Sequence, residues 1–405
     1  MDPRRAISEP GTASANERLR QGPATGHRRT SILVVRDAPT LSGFVPAWED
    51  LAAASIEPNV FYEHWMLLPA LKAFGVDRDI CVVLVLIHDP HDAHAPPKLG
   101  GLFPLERIRK FENLRVSALS LWRHLHCYAC TPLLRADAAA ECLGELFRWL
   151  QSGEAHASLI ELGWVYADGP FHQALIDVSN ELGLLSCATE VHTRGLWRKG
   201  NDANPESGVS GDLRRRLRRK ERRWCERGRL EHVALQPDDD VARWIEEFLQ
   251  IEASGWKGRS GTALACSESG QRYFREAATS AFRRGRLLML GLDFDGRPVV
   301  RRCAFVAGEG AFAFKTAYDE AFADYSPGAI LEVDSIRQLR ALAGVRWMDS
   351  CAAPDNLLVN RLSNDRRTIQ TLIIGCGTLG ELVVSGLPLV RWTNRRILKS
   401  GHPNR

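Results

Sequence analysis

Tyr325-Ser-Pro-Gly-Ala-Ile-Leu331 follows the apolar run Ala311 to Tyr318 and a polar turn. Ser326 suits a helix N-cap, and Pro327 suits the first helical position, where no amide hydrogen is needed. Gly328 has no side chain to keep a ligand from the backbone amides. A strand, a turn and a capped helix in that order form a helix N-terminus suited to an anion, and a phosphate-bearing ligand is the first expectation. A capped helix start with no ligand is the plain alternative.

Upstream of this turn, Asp295-Gly296 is a hairpin signal between apolar runs at Leu287 to Phe294 and Val299 to Ala307. These runs and Ala311 to Tyr318 read as three strands, preceded by helices over 212–227, 241–254 and 267–284. Arg346 to Asp349 reads as another strand, and 356–384 as a closing helix and strand. The first half shows a similar alternation. Ile80 to Ile87 is a buried strand that pairs as a hairpin with Leu99 to Leu105, and shorter strands and helices follow as far as His192. Gly, Asn, Pro and Ser concentrate between Arg194 and Gly211, which places a boundary there. The expected organisation is a disordered tail over 1–30, a first domain over 31–195 and a second over 196–395.

The 405 residues exceed one ordinary core, and 45% hydrophobic with 25% charged residues is a globular composition. A net charge of +4 names no partner, but it conceals a basic run from Arg214 to Arg229. Leu213, Leu217 and Trp224 give that segment an apolar stripe, with cations on its other faces. It suits either a polyanion or plain solvation. Ten scattered cysteines imply reduced thiols in a cytoplasmic setting. The single Cys127-Tyr-Ala-Cys130 pair, with His124 and His126 before it, is a weak zinc or redox signal, and no metal site is expected. His88, His91 and His94 read as a surface loop. The first thirty residues show no apolar signal-peptide core, and no stretch is long and apolar enough to span a bilayer.

The chain resembles the CelD/BcsL group of GNAT-like acyltransferases, relatives of the Fem-type peptidyltransferases, over about Phe44 to Ile374. The resemblance rests on Gly101-Leu-Phe-Pro-Leu105, Asp168-Gly-Pro170, the basic segment before Gly228, Glu252-Ala-Ser-Gly-Trp-Lys-Gly258, Gly261-Thr-Ala263 and Asp295-Gly-Arg-Pro298. Tyr318-Asp-Glu320 and Tyr325-Ser-Pro-Gly328 complete it. It implies an α/β chain of two tandem GNAT-like folds, each a mixed sheet flanked by helices. It also implies acetyl-CoA or another acyl-CoA as donor, and a small-molecule or saccharide acceptor bearing an amine or hydroxyl, in exopolysaccharide or cellulose production. The turn departs from the usual Arg/Gln-x-x-Gly-x-Gly/Ala signature. Tyr325, Ser326, Gly328, Ala329 and Ile330 are therefore the expected coenzyme contacts, with the amides of 328–330 on the pyrophosphate.

Acyl transfer from a thioester needs a base for the acceptor and a proton source for the thiolate. Glu252, Tyr318, Asp319 and Asp349 are the candidates; hydrogen-bonded strand ends are the plain reading of the last three. Trp256, Lys257 and Lys315 are the expected substrate contacts, although a glycine cap with Trp256 as a hydrophobic plug explains that loop equally. Two further readings stay open. One is a Fem-like transferase that uses aminoacyl-tRNA held by the basic helix of 213–229. The other is a non-catalytic polysaccharide-production factor.

Overall fold

A computed structural model describes residues 29–92, 94–112, 114–200 and 210–387. Most of the expected tail and the end of the second expected domain lie outside these residues. Arg29 and Thr30, assigned to the tail from sequence, already belong to the first strand.

The strands are β1 (Arg29–Val35), β2 (Ile80–His88), β3 (Lys98–Ile108), β4 (Ala118–Leu121), β5 (Leu133–Leu134), β6 (Leu159–Tyr166), β7 (Ser186–Arg198), β8 (Leu230–Ala234), β9 (Leu287–Phe294), β10 (Arg297–Ala307), β11 (Gly310–Tyr318), β12 (Trp347–Asp349) and β13 (Asp365–Gly375). They form one mixed sheet in the order β1-β2-β3-β4-β6-β13-β7-β12-β11-β10-β9-β8, with β5 on β3. Helices α1 (Ala38–Ser42), α2 (Val45–Ala53), α3 (His64–Phe74), α4 (Ala139–Gln151) and α5 (Pro170–Glu181) belong to the first half. The second half carries α6 (Gly211–Cys225), α7 (Val241–Ser254), α8 (Trp256–Arg259), α9 (Glu268–Arg283), α10 (Pro327–Ala341) and α11 (Leu357–Leu362). The expected hairpin of β2 and β3 is present, in register from Ile80 opposite Glu106 to Ile87 opposite Lys98.

Two long-range pairings join the halves. β13, the last strand of the described chain, lies between β6 and β7. β7 runs on past His192, where sequence alone ended it, because Leu196, Trp197 and Arg198 pair with Asp349, Met348 and Trp347 of β12. Its first eight residues are exposed or half-buried, and Gly195 follows soon after, so its end reads as a linker in sequence.

At this seam Arg194 and Asp349 form a buried ion pair, with side chains 1% and 0% exposed. Arg194 Nε lies 2.7 Å from Oδ1, Nη2 donates to Oδ2 at 2.7 Å, and Nη1 donates to the Tyr128 carbonyl at 2.6 Å. Two enclosed charges are tolerated because each satisfies the other; removing one leaves its partner in a medium that cannot solvate it.

α6 forms as its sequence predicts. Ser210 caps it by accepting from Leu213 N at 3.3 Å, and Leu213, Leu217 and Trp224 are its buried residues. Trp224 stacks on Tyr325 with ring centroids 5.1 Å apart, and it also meets Phe294 and Phe322. This aromatic group fixes α6 beside the start of α10. His232 of β8 adds a second tie, with Nδ1 2.6 Å from Asp334 of α10 and Nε2 2.8 Å from Glu221 of α6. Hydrogen bonds to these carboxylates, Asp334 first, raise its pKa from 6.5 to about 9.

Two predictions follow from these ties. Arg194→Met should lower stability in urea denaturation by about 3–5 kcal/mol, and Arg194→Met with Asp349→Leu should recover much of that loss. His232 has a folded pKa above its ordinary value, so its contribution is complete below about pH 6.5 and is lost as pH rises through about 9. A stability profile measured across that window should flatten in His232→Gln; an unchanged slope would show that the tie contributes nothing.

Candidate functional site

β11 and β12 pair in parallel only at Gly310–Trp347, Ala311–Met348 and Phe312–Asp349, and beyond Asp349 the chain leaves the sheet. From Ala313 onward β11 has no strand neighbour on that side among the described residues. Its other side pairs with β10 through a bulge, where Cys303 faces Lys315 and Ala304 faces Ala313, so Phe314 is the extra residue. The diverging strands open a cleft of about 690 Å³. Ala313 to Thr316 and Tyr318 form its floor, Gly328 and Glu332 of α10 one wall, and the departing segment Ser350 to Ala353 the other. Trp256, Lys257 and Thr262 edge it, and Leu125, His126 and Tyr128 reach it from the first half.

Two non-glycine residues in the left-handed backbone region flank the opening, Ser326 at φ 55° and Cys351 at φ 49°. Such conformations cost of order 1–3 kcal/mol and persist where the surroundings fix them. Ser326 sits between the short turn over Glu320–Tyr325 and α10, and Cys351 directly follows the buried Asp349.

The start of α10 departs from expectation. Pro327 takes the first helical position, but Ser326 makes no side-chain cap. Its Oγ instead accepts from Lys220 Nζ of α6 at 2.7 Å. The amides of Ala329 and Ile330 both donate to the Ser326 carbonyl, at 3.0 and 3.2 Å, and their side chains are buried. Tyr325 lies under Trp224. The expected seat over 328–330 therefore narrows to the Gly328 amide, which has no partner among the described residues and lies at the cleft wall with Lys220 close by.

None of the three candidate carboxylates forms part of the wall. Asp349 is buried with Arg194, and its Oδ1 accepts from Cys351 N at 2.9 Å. Asp319 is tied by Arg297 at 2.5 Å and by Ala321 N at 3.0 Å. Glu252 ends up behind two lysines: Oε1 accepts from Lys315 Nζ at 2.8 Å and lies 3.6 Å from Lys257 Nζ, while Oε2 accepts from Leu264 N at 2.8 Å. Tyr318 does line the cleft, as do Trp256, Lys257 and Lys315.

The glycine-rich loop after α7 is fixed from the sheet side. Glu320 accepts from Trp256 N at 2.6 Å and from Arg259 at 2.7 Å, and Lys257 Nζ donates to the Thr316 carbonyl at 3.0 Å. A Cβ at Gly258 would come within 1.8 Å of the Ala253 carbonyl oxygen, so the loop needs glycine there.

Sequence reading missed Arg302 and Glu332, and it did not place His126 or Cys351 at this cleft. His126 is 4% exposed and packs among Phe74, Tyr273 and Phe314. Burial, with Lys315, His124 and Lys257 adding, pushes its pKa down to about 2, so the imidazole is neutral. Arg302 and Glu332 face each other as a bidentate pair, one bond at 3.0 Å. Cys351 lines the wall as a thiol, its pKa raised by burial and then by Asp349. The only sequence signal for His126 was its place beside Cys127 and Cys130, which pointed to metal or redox chemistry. The two sulfurs are buried 3.8 Å apart, and among the described residues no three His, Cys, Asp or Glu side chains converge as a metal site.

Comparisons with known proteins place these features. No curated protein matches the sequence. The crystal structure of FemX is similar over 84% of this chain and 96% of its own, with 9% identity and a TM-score of 0.55. A protein of unknown function from Bacteroides thetaiotaomicron covers 82% and 97% at 10% identity, with a TM-score of 0.49. A tandem GNAT protein from the clavulanic acid biosynthesis pathway covers 86% and 99% at 12% identity, with a TM-score of 0.43. At such identity the FemX likeness speaks to the fold alone, and the other two superpose less well. Residues 211–356, which contain β11, β12 and the start of α10, match the family described as acetyltransferase (GNAT) domain. The chain thus has the expected mixed α/β fold, with a GNAT-like stretch at residues 211–356, and most of the residues that line its cleft belong to that stretch.

Proposed function

We propose that this protein is an acyltransferase whose cleft takes an acyl-CoA thioester and passes the acyl group to an amine or hydroxyl acceptor. One observation carries the reading: the free stretch of β11 and the unpaired amide of Gly328, both among the residues that match the acetyltransferase family, meet in a single cleft. The residues present fit such a donor. Lys220 offers a cation beside the Gly328 amide for a diphosphate, as a helix N-terminus favours. Ala313, Leu358 and Val359 give the cleft apolar wall for the pantetheine arm. The bulge at Phe314 takes main chain out of the ladder, where a polar group is available to the thioester oxygen.

In this mechanism the acceptor nitrogen or oxygen attacks the carbonyl carbon, and a C–N or C–O bond replaces the C–S bond. Tyr318 protonates the departing thiolate. The acceptor's proton leaves through water at the open mouth, because Glu332, the only carboxylate in the wall among the described residues, is held by Arg302. Glu252 positions Lys257 and Lys315 without touching substrate. Holding the two reactants together supplies much of the rate.

A second reading draws on α6, whose cations stand beside the same helix start through Lys220. A Fem-like transfer from aminoacyl-tRNA would place the RNA there. A role in exopolysaccharide or cellulose production, catalytic or not, rests on the resemblance alone. Ten free cysteines support a reducing, cytoplasmic setting, and no helix among the described residues is long and apolar enough to cross a membrane.

A Cβ at Gly328 would meet nothing nearer than Thr316 Cγ2 at 3.9 Å, so a larger residue there should fill the cleft wall without disturbing the fold. Gly328→Leu should weaken CoA binding in calorimetry by about tenfold or more with an unchanged unfolding midpoint. Wild-type affinity in that variant would remove the coenzyme seat. Thiol release from acetyl-CoA in the presence of amines and sugars tests turnover, and tight, salt-dependent binding of tRNA without CoA binding would favour the second reading.

A further inference from the structure

Two ammonium groups in the cleft share one carboxylate. Lys315 is 8% exposed at its side chain and donates to Glu252, while Lys257 donates to the Thr316 carbonyl and lies 3.6 Å from the same Glu252 oxygen. Both line the cleft. Glu252 has little capacity left, because its other oxygen accepts from Leu264 N. Each ammonium has three donors, and the bonds above use one of each. A charge this enclosed is costly unless it is paired.

Among the described residues, the rest of the wall supplies no free anion. Glu332 is committed to Arg302, and His126 beside the lysines is neutral. Burial lowers the pKa of Lys257; Glu252 opposes that shift and Lys315 adds to it. Around the two lysines the cleft presents apolar groups, among them Leu125, Phe314 and Leu358. A ligand that is apolar and singly negative satisfies all of these features; a neutral one leaves the second ammonium charge unpaired, and a cationic one is repelled.

We infer that the acceptor carries a carboxylate, and that Lys257 and Lys315 together seat it. The inference rests on the transferase reading and narrows its substrate to amines or alcohols that bear an acid. If the lysines instead served only the oxyanion of the reacting thioester, an acid and its amide would be used equally.

Two measurements on the full chain test the inference. In calorimetry, N-benzoylglycine should bind about tenfold or more tightly than N-benzoylglycinamide, as a hydrogen-bonded charge predicts. That preference should vanish in Lys257→Met and in the double variant Lys315→Met with Glu252→Gln, which leaves no carboxylate unpaired. Equal binding of acid and amide, or binding of neither, overturns the inference. In turnover, thiol release from acetyl-CoA should favour amino acids over their amides by a similar factor. Equal release overturns the inference and leaves the transferase reading standing. Acid-selective binding with no release from any acceptor supports the anion seat and counts against the transferase reading.

Discussion

The buried pair of Arg194 and Asp349 governs the cleft. Asp349 is the last β12 residue to pair with β11, and its carboxylate is satisfied inside the protein by Arg194 and by the amide of Cys351. The chain beyond it enters a left-handed turn at Cys351 and leaves the sheet. β11 meanwhile continues through its bulge to Tyr318, paired with β10. The cleft is the space between a strand that continues and one that is forced away. Because Arg194 belongs to β7, the first half of the chain holds that space open.

The same joint brings the two halves to one site. Arg194 also holds the Tyr128 carbonyl, and the segment around Tyr128 places Leu125 and His126 at the cleft. On the far side, the aromatic stack of Trp224 on Tyr325 and the contact of Lys220 with Ser326 set α6 beside the start of α10. The cleft thus has an apolar wall, a cationic corner and one main-chain donor on fixed elements, which is the preorganisation that the proposed acyl transfer would draw on.

Much of this was legible in the sequence, for a local reason. Pro327 and Gly328, the hairpin at Asp295-Gly296, and the glycines after Glu252 act through their own backbone preferences, so the elements they bound could be placed without a partner. Tyr318, Trp256 and Lys257 reach the cleft from the ends of such elements, and Lys315 reaches it from beside the β11 bulge. The expectations that failed depend on distant partners. Asp349 meets Arg194 across 155 positions, and Glu252 meets Lys315 across 63, so both carboxylates read as available when they are enclosed. Ser326 looked like a cap, but its hydroxyl goes to Lys220, 106 positions away. No pattern within a single segment specifies the insertion of β13 between β6 and β7 or the arrival of His126 from the other half.

The central claim is that the divergence of β11 and β12 holds an acyl-CoA. A crystal structure grown with excess acetyl-CoA tests it most directly. The account predicts the pantetheine arm between β11 and Ser350 to Ala353, with the diphosphate at the Gly328 amide and Lys220. A coenzyme bound elsewhere, or a cleft left empty at saturating concentration, would contradict it.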